Sequence, residues 1–185
     1  HIYRSSLEST DEKLIGSELL LSPDELQKAY RFKFEKDRDH YIAGRAQLRN
    51  ILCKYLNQSP DKITFSYSEK GKPFIKDSPI KFNLAHSRDK AVFAFAKDVE
   101  VGIDIEYMRE LPDALQIAKR FFSDDEVNEV LKVSEDNIRS AFFNCWTRKE
   151  AFIKAVGEGL SFPLKDFTVT LMPGVNPEIK WIKDK

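Results

Sequence analysis

The sequence predicts a fold of mixed helices and strands laid out twice, and three observations carry that expectation. Capping boxes of the Ser-x-x-Glu type stand at Ser22–Glu25 and again at Ser123–Glu126. Each precedes a longer segment whose apolar residues recur at helical spacing, and each long segment is followed by a strand-like alternation. No low-complexity linker separates the halves, so they are expected to pack together with a ligand cleft between them.

In order, SPDELQKAYRF opens a helix with Ser22 as N-cap and Pro23 at the first helical position. A longer helix is expected from about Asp37 to Asn57, with Tyr41, Gly44, Leu48, Ile51 or Leu52 and Tyr55 on one side and NQSP as its stop. ITFSY alternates Ile63, Phe65 and Tyr67 as a strand, SEKGKP is a turn, and KFNLAH and AVFAFA are strands around SRDK. VEVGIDIE reads as a further strand. In the second half a helix from Glu135 to Val156 places Ile138, Phe142, Cys145, Phe152 and Val156 on its apolar side. Gly157 and Gly159 end it, and FTVTL follows as a strand. The sequence stops soon after PEIKWIK, so the element order predicts that a C-terminal strand region is missing from it.

Composition narrows the function classes. The 185 residues suffice for a real core, 42% are hydrophobic, and 14 Phe supply much of the expected burial. Thirty basic and thirty acidic residues cancel, which argues against a nucleic-acid partner, although Arg31 to Arg49 holds six Lys or Arg against three acids. Cys53 and Cys145 stand alone, as in a reduced cytoplasmic protein, and exclude a cysteine-built zinc site. No run reaches transmembrane length and no signal-peptide pattern is present.

Three stretches can carry chemistry, and each has a plain structural reading beside the functional one. In VGIDIE, strand alternation puts Asp104 and Glu106 on one face and Val101, Ile103 and Ile105 on the other. Such a pair is either the wet face of an edge strand or half of a site for a hard cation. In CWTRKEAFIKAVGEGL, Trp146, Glu150 and Lys154 are four apart and share a helical face. Glu150 and Lys154 also suit a solvated surface ion pair, and Trp146 suits a core position. Lys70 and Lys72 flank Gly71, while Asn83 and His86 end a short strand; taken alone, lysines so placed are usually hairpin decoration and such a histidine is usually structural.

Taken in order, GKP (71–73), FNLAH (82–86), VGIDIE (101–106) and WTRKEAFIK (146–154) closely resemble the Sfp-type 4′-phosphopantetheinyl transferases. RFKFEKDRDHYIAGRAQLR and IAKRFFSDDE extend the resemblance over nearly the whole chain. The resemblance implies an α+β fold of two similar subdomains related by a pseudo-twofold, with residues 1–97 and 98–185 as the halves and coenzyme A in the cleft between them. It implies transfer of the phosphopantetheine arm of coenzyme A to a serine of an apo acyl or peptidyl carrier protein, by a cytoplasmic monomer with no membrane partner. The carrier would dock around LQIAKRFF. Asp104, Glu106 and Glu150 match the family's acidic set for Mg²⁺, with Mn²⁺ as substitute. Glu150, Lys154 and Asp104 are then the catalytic group, and Lys36, Lys70, Lys72, Asn83, His86 and Lys154 the coenzyme-binding residues. Ala85 departs from the Ser or Thr usual before the histidine. The alternative is a coenzyme A- or carrier-binding module that does no chemistry. A metal-dependent phosphoesterase is a poorer fit, because three histidines, one of them terminal, supply few ligands.

Overall fold

The computed structural model describes residues 1–183, so that Asp184 and Lys185 of the expected second half lie outside the described residues. The chain divides into two compact units, His1–Val101 and Gly102–Lys185. Both mix helix and strand, the α+β class that the sequence predicts.

The first unit contains β1 (Ile2–Ser6), α1 (Asp11–Glu18), α2 (Pro23–Ala29), α3 (Glu35–Leu56), β2 (Ser66–Tyr67), β3 (Pro73–Phe74), β4 (Ile80–Ser87) and β5 (Lys90–Lys97). Strands β1, β5 and β4 form an antiparallel sheet in that order, with Ser87 opposite Lys90 at the tip of the β4–β5 hairpin. Leu48 and Leu52 of α3 pack with Phe82, Phe93 and Phe95 of the sheet, while Ile42 and Ala46 of α3 bury against Leu21 and Ala29. α2 begins with the expected capping box, and α3 begins two residues before the expected Asp37.

Two expectations need correction. ITFSY yields only the two-residue β2, because Arg49 Nη1 donates to the carbonyls of Pro60 (2.7 Å) and Ile63 (2.8 Å). The Arg45 guanidinium also lies 4.3 Å from the centre of the Phe65 ring, so a side-chain network rather than a ladder organises this segment. VEVGIDIE forms no strand, and among the described residues it joins no sheet. β1 and α1 are elements that the sequence reading did not find.

The second unit contains α4 (Ala114–Phe121), α5 (Asp124–Val130), α6 (Glu135–Val156), β6 (Phe167–Val169) and β7 (Ile179–Ile182). α6 has the bounds expected, and Gly157 ends it in the left-handed conformation with φ 83°. Phe122, Phe142, Cys145, Ile153 and Phe167 form its core.

Each capping box does more than start a helix. Glu25 receives the Ser22 amide at 2.9 Å and, fully buried, ion-pairs with Arg45 and Arg49 of the following long helix, each at 2.6 Å. Glu126 receives the Ser123 amide at 2.8 Å and, equally buried, pairs with Lys149 of its long helix at 2.8 Å. Lys149 Nζ then donates to the carbonyls of Leu164 and Phe167, much as Arg49 does to Pro60 and Ile63. The halves therefore share a buried cap-to-helix ion pair as well as an order of elements.

Candidate active site

The acidic segment and α6 meet within the second unit, and a glycine permits the approach. A Cβ built on Gly102 would overlap the backbone carbonyl oxygen of Ala151 and the amide nitrogen of Ala155. The backbone at Gly102 thus lies directly on the α6 backbone, which gives VGIDIE a partner other than a neighbouring strand. Gly102→Ala is expected to lower unfolding stability by about 3 kcal/mol, the upper part of the range for overpacking, because helix backbone has little freedom to yield. Urea denaturation checks this, and an unchanged midpoint would disprove the close contact.

This approach brings Asp104, Glu106, Glu150 and Lys154 into one electrostatic group. Lys154 Nζ stands 2.5 Å from Asp104 Oδ1, and the Asp104 side chain is only 6% exposed. Asp104 Oδ2 is buried and has no hydrogen-bond partner among the described residues. Burial pushes the Glu150 carboxyl above its ordinary value; Lys154 opposes this, while the charges of Asp104 and Glu106 add to it. No three Asp, Glu, His or Cys side chains among the described residues are already gathered for a metal ion. Even so, a buried acceptor without a donor, within a set of mutually repelling carboxylates, fits a small divalent cation.

Trp146 takes its structural role. Its ring stacks on Phe142 at 6.0 Å and meets the edge of Phe121, within the core that also holds Phe122. Cys145 is buried there too, and burial pushes its thiol pKa up, away from any reactive thiolate.

In the first unit, Lys36 and His86 line one cavity of about 390 Å³, together with His40 and Arg88. His86 lies near the end of β4, opposite Ala91, and Lys36 lies in the first turn of α3. The sequence reading named neither His40 nor Arg88, although both left a signal. His40 is one helical turn after Lys36, and Arg88 is two residues beyond His86. Lys70, Lys72 and Asn83 do not line this cavity. Lys70 is exposed in the turn where Gly71 has φ 81°, and Lys72 Nζ pairs with Glu100 Oε2 at 2.9 Å. Asn83 and Ala85 are buried on the face of β4 opposite His86.

Comparison with known proteins identifies the family. Residues 100–185 match the family model of the 4′-phosphopantetheinyl transferase superfamily, and residues 8–98 match that of the 4′-phosphopantetheinyl transferase N-terminal region. The chain is 37% identical to the 4′-phosphopantetheinyl transferase HetI of Nostoc sp., over 94% of its own length and 74% of that protein. It is 38% identical to the 4′-phosphopantetheinyl transferase Sfp of Bacillus subtilis, over 82% of its length and 66% of the relative. It is 32% identical to the mouse L-aminoadipate-semialdehyde dehydrogenase-phosphopantetheinyl transferase, over 83% of its length and 53% of that protein. The chain, spanning between about half and three quarters of the length of these relatives, belongs to the 4′-phosphopantetheinyl transferase family of transferases.

Proposed function

We propose that this chain transfers the 4′-phosphopantetheine arm of coenzyme A to a serine hydroxyl of an apo acyl or peptidyl carrier protein, releasing adenosine 3′,5′-bisphosphate. The observation that carries the reading is the group where α6 meets the acidic segment: Asp104 with one buried oxygen unpartnered, Lys154 on the other, and Glu150 feeling the charges of both. In the reaction a bond forms between the serine oxygen and the phosphorus next to the pantetheine, and the pyrophosphate bridge breaks.

Asp104, Glu106 and Glu150 would hold Mg²⁺, or Mn²⁺ in its place. Bound there, the ion would polarise the pyrophosphate oxygens and neutralise the charge that develops on them. Glu150 accepts the serine proton through an intervening water, because a carboxylate that also touches the cation is a weak base by direct contact. The ammonium of Lys154 faces the leaving bisphosphate and balances its charge. Lys36 and His86 hold the 3′-phosphate, and Lys72 grips a pyrophosphate oxygen in exchange for Glu100, with Lys70 adding positive charge nearby. Two free cysteines fit a reducing cytoplasm, and a monomer suffices because one chain carries every named group. No helix among the described residues is long and apolar enough to cross a membrane.

Intact-protein mass spectrometry of an apo acyl carrier protein with coenzyme A, Mg²⁺ and this chain tests the reading. The expected result is a carrier heavier by one phosphopantetheine, with the gain abolished by EDTA. Coenzyme A binding without transfer to any carrier type would replace the proposal with the binding-module alternative.

A further inference from the structure

The β4–β5 hairpin turns through two residues, Arg88 and Asp89, and Arg88 has φ 51°. A left-handed first turn residue is ordinarily glycine in such a short hairpin, because a Cβ there crowds the backbone. A strained backbone residue that persists beside a cavity is a pointer to function. Arg88 follows β4 directly at its tip, and His86 and Arg88 both line the cavity of about 390 Å³.

The charge on that cavity is one-sided. Lys36, His40, His86 and Arg88 line it against one acid, Asp37. The neighbouring Asp89 is engaged elsewhere, its carboxylate 2.7 Å from Lys90. Lys90, by direct hydrogen bonding above all, holds the Asp89 pKa below the usual carboxylate value, and Lys36 adds a smaller push in the same direction. Lys36 of α3 and Arg88 of the hairpin tip line the same cavity, which puts the start of α3 close to the tip. A wall that gathers a guanidinium, an ammonium and two imidazoles suits a phosphate monoester, whose three terminal oxygens accept from several directions.

We propose that Arg88 is a specificity-determining residue, held at the hairpin tip so that its guanidinium distinguishes a coenzyme bearing a ribose 3′-phosphate from one lacking it. This rests on the reading that the cavity receives the 3′-phosphate end of coenzyme A. Arg88 binds that group without touching the reacting phosphorus, so its effect falls on affinity and discrimination.

The test is calorimetric titration of the wild-type chain, Arg88→Gly and Arg88→Lys with adenosine 3′,5′-bisphosphate and with adenosine 5′-monophosphate. The wild type is expected to prefer the bisphosphate. Arg88→Gly should cut that preference about tenfold, the effect of one good charge-assisted contact, and Arg88→Lys should keep an intermediate preference. Thermal melting of Arg88→Gly should be unchanged or higher, since glycine accepts the turn conformation without strain. An Arg88→Gly chain that retains the full preference overturns the proposal, as does equal weakening of both nucleotides. A wild-type chain that transfers phosphopantetheine yet shows no preference overturns the role of Arg88 alone. Absence of both transfer and nucleotide binding overturns the reading beneath it as well.

Discussion

Glu150→Gln is expected to lower phosphopantetheine transfer by about a thousandfold or more while the melting temperature stays level or rises. The two effects share a cause. At neutral pH the ionised Glu150 opposes folding, because burial and the nearby Asp104 and Glu106 raise its pKa by more than Lys154 lowers it. Glutamine has nearly the same shape and no charge, so it relieves that stress. It also cannot accept the serine proton and is a poor ligand for a divalent cation. A general base contributes about a hundredfold to ten-thousandfold, and loss of a cation contact adds to that. Steady-state transfer assays paired with thermal melting check both halves. Near-normal turnover would remove Glu150 from the mechanism, whereas a large fall in melting temperature would mean that its carboxylate is a structural brace. An enzyme that keeps a mutually repelling set of acids gives up stability for function at that point.

The parts of this molecule that were legible in its sequence are those with long periodicity and explicit punctuation. α3 and α6 each run 22 residues, and α6 is bracketed by Ser134 and Gly157. β5 shows a continuous apolar stretch from Ala91 to Ala96, and β4 carries Ile80, Phe82 and Leu84 in alternation on the other side of a two-residue turn. β1 escaped because it is short and Ile2 is 74% exposed, and α1 because it buries no residue. VGIDIE misled for a different reason. Alternation says which side chains share a face, but not whether the backbone finds a ladder, and here Gly102 rests on α6.

The candidate site divides along the same line. Asp104, Glu106, Glu150 and Lys154 sit in two short motifs whose chemistry is visible residue by residue. Arg88 and His40 leave only a spacing signal in the sequence, and they gain meaning when they line one cavity with Lys36 and His86. Lys149 is the clearest case of a residue whose role required the structure. It follows the basic residue Arg148 within the same motif as Glu150, yet it is 1% exposed and belongs to the cap of α5.

Glu126→Ala is expected to cost about 3–5 kcal/mol, because it strands the Lys149 ammonium in the core. The Glu126 carboxylate also accepts the Val169 amide at 2.8 Å, so its loss removes a tie of α5 to β6 as well as its tie to α6. Glu126→Ala combined with Lys149→Met should recover part of that loss, since methionine fills a similar volume without bringing a charge into the core. The first unit provides the parallel test in pH. Burial pushes the Glu25 carboxyl up, but Arg45, the Ser22 amide and Arg49 together outweigh it, so its pKa is held below the ordinary 4.5. A carboxyl depressed by folding contributes stability that is fully present above its unfolded pKa and is lost as pH falls through the folded one. Chemical denaturation followed from pH 7 downward should therefore show stability falling as pH drops below about 4.5, and more shallowly in a Glu25→Gln chain that is already less stable at neutral pH. If Glu25→Gln were as stable as the wild type, the guanidiniums of Arg45 and Arg49 would have to be satisfied by neutral acceptors alone, among them the Tyr67 hydroxyl and the carbonyls of Pro60 and Ile63. The four short contacts they make to Glu25, between 2.6 and 2.8 Å, argue that they are not.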